Sequence, residues 1–354
     1  MNIIVIILMF GLLVFVHEFG HFLFAKLNHI GVAEFSIGMG PAVAKWGQGE
    51  TRYYLRALPI GGYVMMEGMN EDSDKANAFQ KKSILARLSV LLAGPFFNFL
   101  LAFFLSIIIC HNYGLDPTVL ASVDEKSAAY EAGLREGDEI LKINGHRVYL
   151  FREISLFRMT ADPEKPIDIV YKRDGKQQET TAKMTYNEGY GQYMLGISGG
   201  YAESKNVWQD VKFSYYEIRL QIKSTIASVK MLVTGKVGKD ALMGPVGIGN
   251  AMNDVIAQAE QTAEVQHKNK SETFWLVFLN IINFTVLISA NLGVMNLLPI
   301  PALDGGRILF VLIEAIAGKP VPKDKENLVT GVGVILLLIL VVFVWFNDIS
   351  NLFK

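Results

Sequence analysis

Four long apolar runs stand out along the chain, at residues 3–25, 88–110, 274–298 and 328–346. A helix rises about 1.5 Å per residue, so about 20 apolar residues cross a hydrocarbon core, and each run predicts a membrane-spanning helix. No lysine or arginine precedes the first run and no small-residue cleavage site follows it, so it reads as a retained span rather than a signal peptide. Between the first two runs the pattern changes to strand-like alternation with glycine-rich turns, as in "TRYYLRALPIGGYVMMEG".

The stretch 111–198 has a different texture. "SAAYEAGLREGDEILKINGHRV" predicts a short helix, a turn at Gly137–Asp138, a strand and an Asn144–Gly145 turn. "IDIVYKRDGKQQETTAKM" predicts strand, Asp174–Gly175 hairpin, strand. Together they predict a small module, mostly β, of about the minimum size that buries its own core. Val207–Val233 places Trp208, Val211, Tyr215, Ile218, Ile222, Ile226 and Val229 at helical spacing, which predicts an amphipathic helix on a membrane surface, against the spans or in solvent. "MGPVGIG" at 243–249 then breaks regularity, and the polar residues 258–272 predict an exposed linker.

Lysine and arginine in short connections orient the spans. Lys26, Lys45, Arg52, Arg56, Lys75, Lys81, Lys82 and Arg87 lie between the first two, and Arg307, Lys319, Lys323 and Lys325 between the last two, whereas the tail beyond Phe346 has only Lys354. Both connections are therefore expected on the cytoplasmic side, with both termini and residues 111–273 outside.

Composition agrees with a membrane protein: of 354 residues 51% are hydrophobic and 19% charged. The net charge of −1 gives no global field for nucleic acid. A single cysteine, Cys110, excludes a disulfide framework and a thiolate metal cluster within one chain.

Against this background, "FVHEFGHFLF" is out of place, because His17, Glu18 and His21 each cost a few kcal/mol at the centre of a bilayer. On a helix, histidines four residues apart share one face and can take adjacent corners of a zinc tetrahedron, with the glutamate acting on the attacking water. A catalytic zinc commonly takes three protein ligands. His29, His111, His146 and His267 fall in connections or the outer region, whereas Asp304 in "NLLPIPALDGGR" follows the third span near its cytoplasmic end. His17 and His21 stand about 14 to 18 residues into a span that runs the same way, so all three share one depth. Pro299 and Pro301 bar regular helix, and Gly305 and Gly306 permit a turn aiming the carboxylate inward. The competing use of Asp304 is to cap the helix that follows.

With "HEFGH" in the first span, "AGPFFNF" in the second, "GPVGI", and "NLLPIPALDGG" after the third, the chain resembles the site-2 protease family of intramembrane zinc metalloproteases, in its bacterial regulator-of-sigma-E-protease branch. The resemblance implies Zn2+ on His17, His21 and Asp304, Glu18 as general base, and Asn98 and Asn296 positioning substrate. Interhelical hydrogen bonding is the structural alternative for both asparagines.

It also implies a polytopic α-helical membrane protein of about four transmembrane helices. A cytoplasmic-side, membrane-associated β region and one extracytoplasmic PDZ-like α+β domain complete it. That domain would take a peptide or protein terminus along a sheet edge, and the β region would either pair with an unwound substrate or plug the opening. Residues 1–110 would hold the first two spans and the β region, 111–198 the PDZ-like domain, 199–272 the surface helix and linker, and 273–354 the last two spans. The implied partners are the lipid bilayer of the bacterial cytoplasmic membrane and single-span substrates such as anti-sigma factors or signal-peptide remnants. Some members of the branch have tandem PDZ modules, whereas 111–198 has motifs for one. The rival classes are a catalytically silent scaffold, which needs no complete ligand set, and a metal transporter, which needs a polar path the apolar outer half-spans lack.

Overall fold

The structure, a computed structural model, describes residues 2–236 and 243–352. Lys354, used in orienting the spans, and residues 237–242 of the expected surface segment lie outside the described residues. The chain forms two compact units, Met1–Ala102 with Lys230–Lys354, and Phe103–Val229.

The first unit opens with α1 (Asn2–Leu27), apolar around its circumference except for His17, Glu18, His21 and the terminal residues, as suits a membrane-spanning helix. Strands β1 (Val32–Trp46) and β2 (Arg52–Met66) follow. The long β2 doubles back, so β1 is sandwiched between two of its parts: Phe35 opposes both Val64 and Tyr53, and Ser36 opposes both Tyr63 and Tyr54. Gly38 allows the crossing. Its φ is +84°, and a Cβ there would stand 2.5 Å from the Leu58 carbonyl oxygen. Helix α2 (Ile84–Tyr113), with Pro95 inside it, begins in this unit and ends in the other.

The second unit contains β3 (Leu120–Val123), α3 (Ala128–Glu131), β4 (Glu139–Ile143), β5 (His146–Arg147), α4 (Phe151–Thr160), β6 (Ile167–Arg173), β7 (Lys176–Ala182), β8 (Thr185–Asn187), β9 (Gln192–Met194), β10 (Ile197–Gly199) and α5 (Val207–Val233). An antiparallel sheet of order β5-β4-β6-β7 is joined by the pairs β10-β3 and β8-β9. Asn144–Gly145 and Asp174–Gly175 turn the chain with positive φ at both residues of each pair, the primed geometry that suits a two-residue hairpin. Leu134, Ile140, Ile143, Ile167 and Ile169 centre its apolar core.

Helix α5 has the expected length, and its apolar stripe is part buried and part exposed. Trp208, Tyr215 and Ile226 are exposed, while Asp210, Ser214, Glu217 and Ile218 are buried. Polar pairing accompanies the burial: Glu217 accepts from Arg152 of α4 at 2.5 Å, and Arg219 and Lys223 donate to the buried Glu153 at 2.8 and 2.9 Å.

Returning to the first unit, the chain forms α6 (Pro245–Val265), α7 (Lys270–Leu297), α8 (Asp304–Ala317) and α9 (Lys323–Leu352). The exposed linker expected at 258–272 is corrected. Gly244 and Pro245 start α6, whose Met252, Ile256, Ala259 and Ala263 are buried at helical spacing, the first two packed against Met9 and Leu13 of α1. Only a short break separates it from α7, which Asn269 and Glu272 begin with a reciprocal capping box. Among the described residues, four helices have the length and hydropathy to cross a membrane: Ile4–Leu27, Ile84–Tyr113, Lys270–Leu297 and Lys323–Asp348.

Candidate metal centre

His17 and His21 lie one turn apart on α1, which approaches α2 closely at two glycines. A Cβ on Gly20 would meet the Ala93 carbonyl oxygen at 2.5 Å. On Gly94 of α2 a Cβ would run into the His21 ring at Nε2 and meet His17 Cε1 at 2.8 Å. Small residues where membrane helices cross permit this approach, and here they also leave room for both imidazoles. Pro95 has no N–H to give the Leu91 carbonyl, which loosens α2 at this level. The adjacent Val90 carbonyl accepts from His21 Nδ1 at 2.8 Å.

Asp304 arrives from far along the chain. After α7 the backbone turns through Ala302, a non-glycine residue at φ +79°, and enters α8 with Leu303 at the cap position and Asp304 in the first turn. No side-chain bond caps α8, so the capping use of Asp304 does not occur. Gly305 and Gly306 pack so closely on the preceding loop that a Cβ on either would strike the Leu298 or Ile300 carbonyl. Arg87 donates to both oxygens of Glu314 at 2.8 and 2.6 Å, tying α2 to α8.

These elements bring Asp304 Oδ2 to 3.2 Å from both His17 Nε2 and His21 Nε2, which lie 3.3 Å from each other. His21 is buried, and His17 and Asp304 nearly so. Asp304 Oδ2 is buried without a hydrogen-bond donor. Because His21 gives its Nδ1 proton to Val90, a neutral ring presents a lone pair at Nε2. Lone pairs so close together repel unless a cation lies among them. With metal bonds of about 2.0–2.1 Å, adjacent corners of a tetrahedron stand about 3.3 Å apart, so the three separations fit one zinc-sized ion. Nitrogen, nitrogen and carboxylate oxygen are also a donor set that zinc accepts.

Glu18 follows His17 on α1, partly buried and within electrostatic reach of His17, His21 and Asp304. Gly62 of β2 lies beside it, where a Cβ would stand 3.3 Å from Glu18 Cγ and only 2.8 Å from the Ser36 carbonyl oxygen. Asn296 Nδ2 is 3.5 Å from His17 Nε2. Asn98 is wholly buried, with its amide 3.2 Å from His17 Nδ1 and its backbone carbonyl accepting from Ser289 Oγ at 2.8 Å. The roles of Val90 and Gly94 emerge only from the packing of α1 on α2. A backbone acceptor has no side-chain signature, although Gly94, Pro95 and Asn98 within one helical turn mark the place.

Held among helices of membrane-spanning length, such a donor set belongs to a membrane metalloenzyme. The model of peptidase family M50 matches residues 5–340, and the chain belongs to that family: it is a zinc metalloprotease. A Clostridium acetobutylicum protein whose name places it among zinc metalloproteases is 38% identical over 98% of this chain and 97% of its own length. The zinc metalloprotease RasP of Geobacillus kaustophilus is 31% identical over 99% and 98%, and the regulator of sigma-W protease RasP of Bacillus subtilis 29% over 99% and 99%. Among solved structures, the PDZ domain of an SdrC-like protein from Listeria innocua matches 25% of this chain and 98% of that chain, at 25% identity and a TM-score of 0.23.

Proposed function

We propose that this protease cuts peptide bonds inside the membrane-spanning segments of single-span proteins, with His17, His21 and Asp304 as zinc ligands and Glu18 as general base. The observation that carries the reading is the meeting of three donor atoms at 3.2–3.3 Å, on helices long and apolar enough to lie in a bilayer.

Bound there, zinc supplies Lewis acidity that polarises a carbonyl and makes water more acidic. Glu18, adjacent to the ligands and in their field, takes a proton from the attacking water as its oxygen bonds to the peptide carbon. The same carboxyl then returns the proton to the departing amine nitrogen, leaving a new carboxylate and a new amino terminus. Asn296, next to His17, orients the substrate backbone.

A helical peptide bond has its carbonyl engaged, so the substrate must be extended at the cut. The part of β2 around Gly62 pairs with β1 on one side and lies beside Glu18, which suits it to hold an unwound substrate by strand addition. Residues Met39, Val43 and Leu58 of β1 and β2 are exposed apolar side chains that suit contact with the bilayer.

Lysine and arginine placement supports a site toward the cytoplasmic face of a bacterial cytoplasmic membrane, with the termini and residues 111–198 outside. There the PDZ-like unit has a groove of about 280 Å³ between α4 and β9–β10, lined by Phe151, Ile154 and Leu195. β10 pairs only with β3 among the described residues, so it suits an extended peptide or chain terminus along its other edge. The domain limits 1–110, 111–198, 199–272 and 273–354 belong to the same proposal. Anti-sigma factors and signal-peptide remnants are the proposed substrates, and the name of the Bacillus subtilis relative, regulator of sigma-W protease, supports the first kind.

The test is cleavage of a tagged single-span substrate by the purified protein in bilayers, before and after removal of zinc with a chelator. Activity is expected to disappear with the metal and return when zinc is restored. Cleavage indifferent to the chelator would reject the proposal.

A further inference from the structure

Val90, Gly94 and Asn98 follow one another at intervals of four on α2 and so share a face of that helix. Each meets the histidine pair: the Val90 carbonyl accepts from His21 Nδ1 at 2.8 Å, Gly94 leaves space for both rings, and the Asn98 amide lies 3.2 Å from His17 Nδ1. We propose that Asn98 is a positioning residue whose side-chain oxygen accepts the Nδ1 proton of His17, holding that ring with its Nε2 lone pair toward Asp304 and His21. The face of α2 thereby orients both imidazoles, one through a backbone carbonyl and one through an amide. The inference rests on the reading of His17 as a zinc ligand and assigns Asn98 to the ligand instead of the substrate.

Proton placement decides which atom of the Asn98 amide faces His17. A neutral imidazole has one N–H, and a metal-bound Nε2 requires that proton on Nδ1. His17 Nδ1 must then face an acceptor, and Asn98 supplies one only with its oxygen toward the ring. The oxygen and nitrogen of a side-chain amide are told apart by their hydrogen bonds. With nitrogen toward the ring, Asn98 Oδ1 is buried and finds no donor, so nothing holds the oxygen on the far side. That orientation would also place the His17 proton on Nε2, between His21 Nε2 at 3.3 Å and Asp304 Oδ2 at 3.2 Å, where it would block ligation. Asn98 is 0% exposed, which leaves no surface for substrate, and its backbone carbonyl is fixed by Ser289 of α7 at 2.8 Å. Partners of this kind on metal-bound histidines are worth about 10–100-fold in metal affinity.

The experiment measures zinc affinity of the full chain in detergent by competition with a chromophoric chelator, for wild type, Asn98→Leu and Asn98→Asp. Leucine fills the space without an acceptor, whereas aspartate offers oxygen acceptors and no N–H. Asn98→Leu is expected to bind zinc about 10–100-fold more weakly, with Asn98→Asp close to wild type. The d–d spectrum of the cobalt-substituted protein is expected to change in the leucine variant and be restored in the aspartate variant.

Wild-type zinc affinity in Asn98→Leu, with only the KM for substrate raised, would overturn the proposal in favour of a substrate contact. Equal losses in the two variants would mean that Asn98 donates or merely packs, and would also overturn it. If Asn98→Leu does not fold, a folded Asn98→Asp with zinc bound as in wild type supports the acceptor role, and one with weakened binding refutes it. Failure of the wild-type chain itself to bind zinc would instead count against the ligand set.

Discussion

Glu18→Gln is expected to keep zinc at the wild-type level while slowing cleavage by about 10²–10⁴-fold, the range that positioned proton transfer contributes. Glutamine matches glutamate in shape, so the turn of α1 between His17 and His21 and the contact with Gly62 persist. What is lost is the carboxylate proposed to take the proton from water. Metal content measured by atomic absorption and cleavage of a single-span substrate at matched protein levels check both halves. Undiminished cleavage would remove Glu18 from the chemistry, and loss of zinc together with activity would make it a structural partner of the site.

Asp304→Ala is expected to remove both zinc and activity. Outer partners of metal-binding histidines are worth roughly 10–100-fold in affinity, so losing a ligand should exceed that range. Asp304 lies in the first turn of α8 but makes no cap bond there, so its removal leaves the helix start intact. The Arg87–Glu314 pair still anchors α8 to α2. A chelator titration of the folded variant reads the affinity directly, and a folded variant that binds zinc as tightly as wild type would exclude Asp304 from the ligand set.

Much of this was legible in the sequence because its physical signals are strong. Four apolar runs match four helices of spanning length, and the HExxH spacing fixes both histidines on one face of α1 wherever that helix goes. Asp304 could be placed at their depth because orientation and helical rise convert sequence distance into position across a bilayer. The turns at Asn144–Gly145 and Asp174–Gly175 were legible because both need positive φ twice.

Elsewhere the signal was weaker or absent. Helix α6 was hidden because part of its buried stripe is Ala259 and Ala263, small side chains set among polar neighbours that mimic a linker. The polar pairing beside α5 was hidden because the partners of Glu217, Arg219 and Lys223, namely Arg152 and Glu153, are distant in sequence. At the candidate metal centre, Val90 contributes only a carbonyl and Gly94 only the absence of a side chain. Gly94, Pro95 and Asn98 mark the place in the sequence, but what Val90 and Gly94 do there depends on the α1–α2 crossing.

The most direct measurement is the position of the cut. A single-span substrate with tags on both flanks, digested by the zinc-loaded protein in bilayers, yields two products whose ends mass spectrometry locates to a peptide bond. The cut is expected within the apolar segment, toward its cytoplasmic end, and absent from a parallel Glu18→Gln digestion. Products ending in the soluble flanks, with the apolar segment intact, would contradict cleavage inside the membrane.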